Sequence, residues 1–301
     1  MIRIEIGERH YLAYLLLPHA MKVALLSPAS RDKLDRINRI ANGQMFSGER
    51  AATYDQLHRY GEAEQHEYPS RLLVTEVWAP EGYGRTLELG AGSGYFTALI
   101  ARRARSLVAV EPVSDMQCVL RARCQAEGLH NVHVVGGSAL DLGAHVPDGS
   151  IDSAVVIQSL HHFHRREEVF EGLGRVLRPG GRLFMVEPHH NLRRAARLFH
   201  TYVKTYRRRE FWAKELNWAT HDFLTRGEIR SLYRRGGFED VRISAYWFPY
   251  SRRLVPDPRR RFRLERGLGR IPGLRHFAGV LAVEARRSRE VMVGHNVGVA
   301  G

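Results

Sequence analysis

Arg85-Thr-Leu-Glu88-Leu-Gly90-Ala-Gly92-Ser-Gly94 decides how the chain is read. Residues 85–90 alternate in the manner of a short strand, glycines follow, and Phe96, Leu99 and Ile100 then recur at helical spacing. Glycines between a strand and a helix let the backbone turn tightly and approach a ligand closely. The dinucleotide fingerprint G-x-G-x-x-G would need glycine at position 95, where Tyr95 stands; the third glycine falls one residue early, at Gly94. That spacing argues against a nicotinamide oxidoreductase. An acid, Glu88, precedes Gly90 by two residues, and a second, Glu111, ends the next strand-like run, Ser106–Glu111. A carboxylate in that place can accept both hydroxyls of a ribose.

The rhythm continues downstream. Met116, Val119 and Leu120 mark a helix face after Glu111, and 131–136 and 152–158 read as third and fourth strands. Val169, Phe170, Leu173, Val176 and Leu177 share a helix face that Pro179-Gly180-Gly181 is expected to end, and 182–187 reads as a fifth strand. These runs are continuously apolar, so the strands should be covered on both faces, as in a parallel sheet. Thr225-Arg-Gly-Glu228 has the form of a capping box, with Ile229, Leu232 and Tyr233 behind it and Gly236 at the stop. Residues 238–247 and 277–285 read as a closing strand pair.

Composition narrows the class. A hydrophobic share of 44% and a charged share of 26% are ordinary for globular chains and exclude disorder throughout or a fibrous repeat. The apolar run Tyr11–Leu17 stops at Pro18, short of the ~20 residues of a spanning helix. The first ten residues carry two Arg and two Glu, unlike the basic start of a secretory signal. Cys118 and Cys124 form neither a metal-ligand spacing nor a disulfide framework, so the cytoplasm is the expected compartment and no metal is expected. The net charge of +14 is one-sided: residues 1–150 carry 16 basic and 17 acidic side chains, residues 151–301 carry 30 and 15. An anionic partner for the second half is one reading. The other is codon bias, because 42 of the 46 basic residues are Arg.

On four ordered motifs the sequence resembles the class I S-adenosylmethionine-dependent methyltransferases, closest to the branch of ubiquinone/menaquinone-biosynthesis and other small-molecule enzymes. ELGAGSG at 88–94 is similar to that family's first motif and VEP at 110–112 to its second-strand acid. PDGSIDSAVVIQSLHHF at 147–163 resembles the passage through its fourth strand, and RVLRPGGRLFMVEP at 175–188 the entry to its fifth. FLTRGEIRSLYRRGGFEDV at 223–241 matches the approach to the sixth. The resemblance implies an α/β, Rossmann-like, doubly wound sheet of seven strands, mostly parallel with an antiparallel last strand. Around it we expect an N-terminal helical cap over 1–80, a methyltransferase domain over 81–285 with a helical substrate-cap insertion at 189–224, and a tail from 286 to 301.

The resemblance also implies S-adenosylmethionine as cofactor and assigns residues to it. Glu88 and the loop Gly90, Ala91, Gly92 and Gly94 would hold its methionine part, Glu111 the ribose, and Met116 the adenine. Ser138 and Ala139 stand where the family often has Asp-Ala beside the adenine; Ser138 keeps a hydrogen-bonding group but loses the charge, which shifts that duty toward the backbone or Asp141. Gln158 would lie under the reactive end.

Methyl transfer is an in-line displacement in which alignment supplies much of the rate, and a base is needed only where the nucleophile arrives protonated. His161 and His162 are the catalytic candidates, with Glu187, His189 and His190 as further groups at strand ends. The acceptor is expected to be a small molecule, aromatic or lipid-like, held where Arg193, Arg194, Arg197, Lys204 and Arg207–Arg209 alternate with aromatics. An anionic membrane surface is a second contact those arginines would suit. A second basic stretch, 251–275, is interrupted by Pro256 and Pro258, against a continuous helix.

Two other functions stay open. Basic and aromatic residues together also describe RNA binders. Amine-methylating nucleobase enzymes carry Asn/Asp-Pro-Pro-aromatic after the fourth strand, however, where this chain has Gln158-Ser-Leu-His161, and both cysteines lie on the helix after Glu111. Nucleic acid is therefore not the expected partner. A non-catalytic S-adenosylmethionine-binding protein would keep the glycine loop as well.

Overall fold

The computed structural model describes residues 21, 27, 29, 36, 39–40, 42–58, 67–163, 165–205 and 223–289. The expected strand runs form one seven-stranded sheet in the order β3-β2-β1-β4-β5-β7-β6. The strands are β1 (Gly84–Leu89), β2 (Ala104–Glu111), β3 (Val132–Gly136), β4 (Ile151–Ile157), β5 (Leu177–Pro188), β6 (Phe238–Tyr246) and β7 (Val280–Arg287). The first five are parallel to one another, and β7 runs antiparallel to both β5 and β6. The strand order reverses between β1 and β4. In open α/β sheets the crevice outside the carboxyl ends at such a point is where ligands bind.

Neighbouring residues of a central strand serve opposite cores, which is why the runs are continuously apolar. Ala154 and Val156 of β4 and Leu183 and Met185 of β5 pack with helices α6 (Arg166–Val176) and α8 (Arg226–Arg235). Val155, Ile157, Phe184 and Val186 face the other way, toward α3 (Tyr68–Leu72) and α4 (Tyr95–Ala101). Phe184 is fully buried, with the rings of Trp78 and Tyr83 at 5.1 and 5.7 Å. Removing such a ring costs about 3–5 kcal/mol.

The remaining helices are α1 (Glu49–Ala52), α2 (Tyr54–His58), α5 (Ser114–Ala126), α7 (Leu192–Thr205), α9 (Ser251–Leu254) and α10 (Pro258–Leu268). The capping box forms: the Thr225 hydroxyl accepts the Glu228 N–H at 3.3 Å, and the Glu228 carboxylate accepts the Thr225 N–H at 2.7 Å. The two prolines separate α9 from α10, and Pro258 opens α10 behind Asp257, whose carboxylate accepts the Arg260 N–H.

Three placements differ from the sequence reading. Helix α6 ends at Val176, and Pro179-Gly180-Gly181 lies within β5, where the pairing jumps from Ile151–Leu177 to Ser153–Arg182. Strand β7 continues to Arg287, because β5 and β6 both offer it partners, so 286–287 are not tail. Residues 67–80 are core rather than cap: Tyr68, Leu72, Val74 and Trp78 are buried against the sheet. The rest of the tail, 290–301, the first twenty residues and 206–222, with Arg207–Arg209, lie outside the described residues.

Candidate functional site

The loop after β1 opens onto the crevice. Gly92 has φ +55, and a Cβ there would meet only Met116 Cε, at 3.7 Å, so its free side faces the cleft. Gly94 differs. At φ +81 its Cβ would lie 2.4 Å from Leu120 Cδ1, and the residue does not line the cleft. It is a packing glycine that lets α5 close on the loop, not a wall of the site. Glu88, Gly90, Ala91, Gly92, Glu111, Met116, Ser138, Ala139 and Gln158 all line one cleft, as the sequence reading expects of cofactor residues.

Glu111, at the end of β2, is 5% exposed. Its two carboxylate oxygens each accept one backbone N–H, from Gly92 at 2.9 Å and from Val113 at 3.0 Å. Each oxygen keeps a further lone pair for a ligand hydroxyl. Burial raises the carboxyl pKa, and the two N–H groups oppose that rise. Glu88 lies deeper. Burial pushes its pKa up to about 8 against the opposing hydrogen bond from the Thr97 hydroxyl, 2.6 Å away, and the nearby Glu111 adds to the rise. An acid protonated near neutrality becomes an anion when a cation such as an α-ammonium group arrives beside it.

Gln158 follows β4 in a left-handed conformation, φ +51, and its buried Nε2 has no hydrogen-bond partner. A strained residue with an unsatisfied donor in the wall of a crevice points to a ligand. Ser138 is less informative: its hydroxyl accepts the Leu140 N–H at 3.2 Å.

Next to Gln158, the turn Leu160–His162 carries both candidate histidines. His161 is 6% exposed, and its Nδ1 lies 2.8 Å from the Glu187 carboxylate at the end of β5. The other oxygen of Glu187 accepts the Leu160 N–H at 2.6 Å. Burial raises the Glu187 pKa to about 8, with the N–H donors of the turn and the Arg166 guanidinium opposing. The His162 ring lies 4.1 Å from that of His161 and meets Phe46 edge-on at 5.4 Å. His189 donates from Nδ1 to the Ala278 carbonyl at 3.2 Å, and burial lowers its pKa to about 4, so it is neutral over the physiological range.

One wall of the cleft had no sequence signal. Asn42, Met45, Phe46, Arg50 and Tyr54 line it. Their segment is fastened by the Gly48 N–H to the Asp115 carboxylate at 2.6 Å and by an Asp55–Arg123 ion pair, while Arg123 also donates to the Ser93 carbonyl at 3.0 Å. The cleft measures about 2290 Å³. Ordinary small-ligand pockets reach ~1,000 Å³, so there is room for two molecules side by side. Among the described residues no group of three His, Cys, Asp or Glu is arranged to hold a metal ion.

Residues 87–185 match a family described as a methyltransferase domain. Over 107 residues the chain is 36% identical to an uncharacterised methyltransferase of Mycobacterium bovis, covering 36% of this chain and 41% of that protein. Over 157 residues it is 29% identical to the ubiquinone/menaquinone biosynthesis C-methyltransferase of Rubrivivax gelatinosus, covering 52% and 57%. The chain thus spans about half the length of the curated relatives it matches. Among solved structures it is similar in fold to phosphoethanolamine N-methyltransferase 2 of Haemonchus contortus in complex with S-adenosylmethionine, with a TM-score of 0.59 at 14% identity over 84% of this chain and 60% of that one. The matched segment is similar to a methyltransferase domain, and the fold is the one shared with methyltransferase structures. S-adenosylmethionine is the cofactor that this domain and the glycine cradle indicate.

Proposed function

We propose that the protein transfers a methyl group from S-adenosylmethionine to a small-molecule acceptor with an aromatic or lipid-like body and an anionic group. One observation carries the reading: a single cleft joins the glycine loop, Glu111 and Gln158 to a rim of arginines. Bound there, S-adenosylmethionine supplies an activated methyl group on a sulfonium. Glu111 would accept the ribose hydroxyls, the unpartnered Gln158 Nε2 would donate near the reactive end, and Glu88 would face the amino-acid part. Alignment of two molecules in one cleft would supply much of the rate such a displacement needs.

The acceptor side supports the anionic character. Arg36, Arg39 and Arg50 come from the N-terminal segment, Arg193 and Arg197 from α7, and Arg235 from α8. Apolar surface lies beside them in Phe46, Phe163, Phe223 and Trp247, and the Arg194 guanidinium stacks on Phe223 at 3.3 Å. Arginines of this kind bind carboxylate or phosphate through paired N–H groups. Among the described residues no helix is long and apolar enough to cross a membrane.

The test is release of S-adenosylhomocysteine with labelled S-adenosylmethionine and separate pools of acidic aromatics, anionic lipids, neutral metabolites and RNA. Label in the acidic aromatic or anionic lipid pool supports the proposal. Label confined to RNA, or binding with no transfer to any pool, would replace it with one of the two other functions.

A further inference from the structure

The turn after β6 is held in a strained shape by an acid that no step of the proposed transfer uses. Trp247 and Tyr250 both take φ +63, a left-handed conformation that is costly for a bulky side chain. Glu265 of α10, fully buried, fixes the turn. One carboxylate oxygen accepts the Trp247 N–H at 2.7 Å and the hydroxyl of Tyr68 on α3; the other accepts the Phe248 N–H at 3.2 Å and the Ser251 hydroxyl at 2.5 Å. The strained end of the turn reaches the cleft, where Trp247 is 39% exposed in the wall. The six-membered ring of its indole abuts Gly279, at which a Cβ would stand 2.6 Å from Cε3 and 3.3 Å from Cζ3. Gly279 has no positive φ, so glycine serves there to leave room for the ring. Its N–H donates to the Trp247 carbonyl at 3.0 Å and its carbonyl accepts the His189 N–H at 2.9 Å, which ties the turn to the ends of β5, β6 and β7. Charge stands beside it. The Asn191 amide donates to the Ala278 carbonyl at 2.8 Å while its oxygen accepts the Arg194 N–H at 2.9 Å, so α7 begins there with Arg193 and Arg194 on the cleft.

We propose that Trp247 is the platform on which a planar aromatic acid stacks, that Gly279 gives the indole its place, and that Glu265 is its positioning residue. The proposal rests on the proposed function of the cleft and narrows the acceptor from aromatic or lipid-like to aromatic. A strained backbone persists only where its surroundings over-determine it, and such outliers gather at ligand sites. An acyl chain gains the same burial from any apolar wall and has no use for a ring of fixed tilt. A flat ligand does, because offset stacking depends on how the two rings are set to each other. The guanidinium groups of Arg193 and Arg194 would take the carboxylate through paired N–H donors. They also repel an ammonium group, which an indole face would otherwise attract.

Calorimetry with S-adenosylhomocysteine present tests the platform, with 1-hydroxy-2-naphthoate as probe and decanoate and 1-naphthylmethylammonium as controls. The naphthoate should bind about tenfold or more tighter than either control, the scale of one good ring stack. Trp247→Ala should raise its Kd by about tenfold or more, whereas Trp247→Phe, which keeps a ring, should stay within about threefold of the parent. Gly279→Ala should reproduce Trp247→Ala, because the added methyl group displaces the indole. None of these variants should move the S-adenosylmethionine Kd by more than about twofold, as expected of well-separated sites. For Glu265 the readout is optical. The near-ultraviolet circular dichroism that Trp247→Phe removes reports the fixed indole. Glu265→Gln should lose that same band and weaken naphthoate binding by about tenfold, with the far-ultraviolet spectrum parental. Tyr68→Phe, which deletes a single hydrogen bond to Glu265, should weaken the band in part and serves where Glu265→Gln does not fold. Equal binding of decanoate, preference for the ammonium probe, no naphthoate binding, or parental naphthoate affinity in Trp247→Ala or Gly279→Ala would overturn the platform. An unaltered indole band in both Glu265→Gln and Tyr68→Phe would overturn the positioning role. Failure of the parent to bind S-adenosylmethionine would instead overturn the proposed function, while the naphthoate series, run without cofactor, would still judge the platform.

Discussion

The two ends of the cleft are built on different plans. At the proposed cofactor end, one short loop and two acids of β1 and β2 form the wall: Gly90 to Gly92, Glu88 and Glu111, fixed by backbone hydrogen bonds across β1 and β2. At the proposed acceptor end the wall is assembled from parts far apart in the chain: Phe46, His161, Arg193 and Phe223 come from four separate segments. The contrast teaches where specificity can change. A loop held by main-chain geometry tolerates few substitutions, whereas a wall of side chains can be rebuilt one residue at a time around the same chemistry.

The largest effect should follow from Glu111→Ala. Each charge-assisted hydrogen bond to a ribose hydroxyl is worth ~1.5–3 kcal/mol. Calorimetry should show S-adenosylmethionine affinity reduced by about 100-fold or more. Unchanged affinity in a folded variant would break the distinction between the two ends, because the cofactor would then lie elsewhere.

A pair of glycine variants sharpens the same division. Gly94→Ala drives a Cβ into Leu120 and should cost about 2–4 kcal/mol of stability, seen as a fall in Tm. Gly92→Ala has open space, so its stability loss should be about 1–2 kcal/mol, while its cofactor affinity should fall by about tenfold as the methyl group enters the cradle. Equal effects of both variants on Tm and on binding would remove the assignment of one glycine to ligand and the other to packing.

Smaller changes are expected at the acceptor rim. Arg36→Gln, Arg39→Gln and Arg193→Gln combined should raise KM for an anionic acceptor several-fold and leave cofactor affinity nearly unaltered. Added salt should mimic the triple variant, because exposed charges are screened over ~8 Å at physiological ionic strength. A variant with parental KM and parental salt response would return the arginine surplus to codon bias.

The remaining effects are on stability against pH, and their signs are opposite. Glu88 titrates at about 8 in the folded protein against an ordinary value of 4.5, so between these the folded state binds more protons and stability falls as pH rises. Glu88→Gln should flatten that slope, leaving the part due to Glu187. His189 titrates at about 4 against 6.5, so the unfolded state binds more protons in that window and stability falls as pH drops from 6.5 to 4. His189→Gln should remove that limb from a plot of Tm against pH.

How much of this was legible in the sequence follows from range. The β/α alternation, the glycine loop, Glu111 and the capping box at Thr225 depend on residues within a few positions of one another, and local pattern reports them. The pairing of His161 with Glu187 crosses 26 residues. Each residue could be named as a candidate, but their contact needed β4 and β5 to be neighbours. Glu265 lies in the basic stretch 251–275, where local pattern gives it no role. It is fully buried and accepts the N–H groups of Trp247 and Phe248 and the hydroxyls of Ser251 and Tyr68, which hold the turn where Trp247 and Tyr250 take φ +63. No periodicity reports an acid whose partners lie 14 to 197 positions away. The N-terminal wall was invisible for the same reason: Asp55 and Arg123 are 68 residues apart.

The most direct test of the central claim is hydrogen exchange with and without saturating S-adenosylmethionine. The account predicts slower exchange at the amides of 90–94, 111–116 and 138–141, with 42–47 slowing as the N-terminal wall closes over the ligand. Binding that leaves 90–94 and 111–116 unchanged while protecting another surface would contradict it.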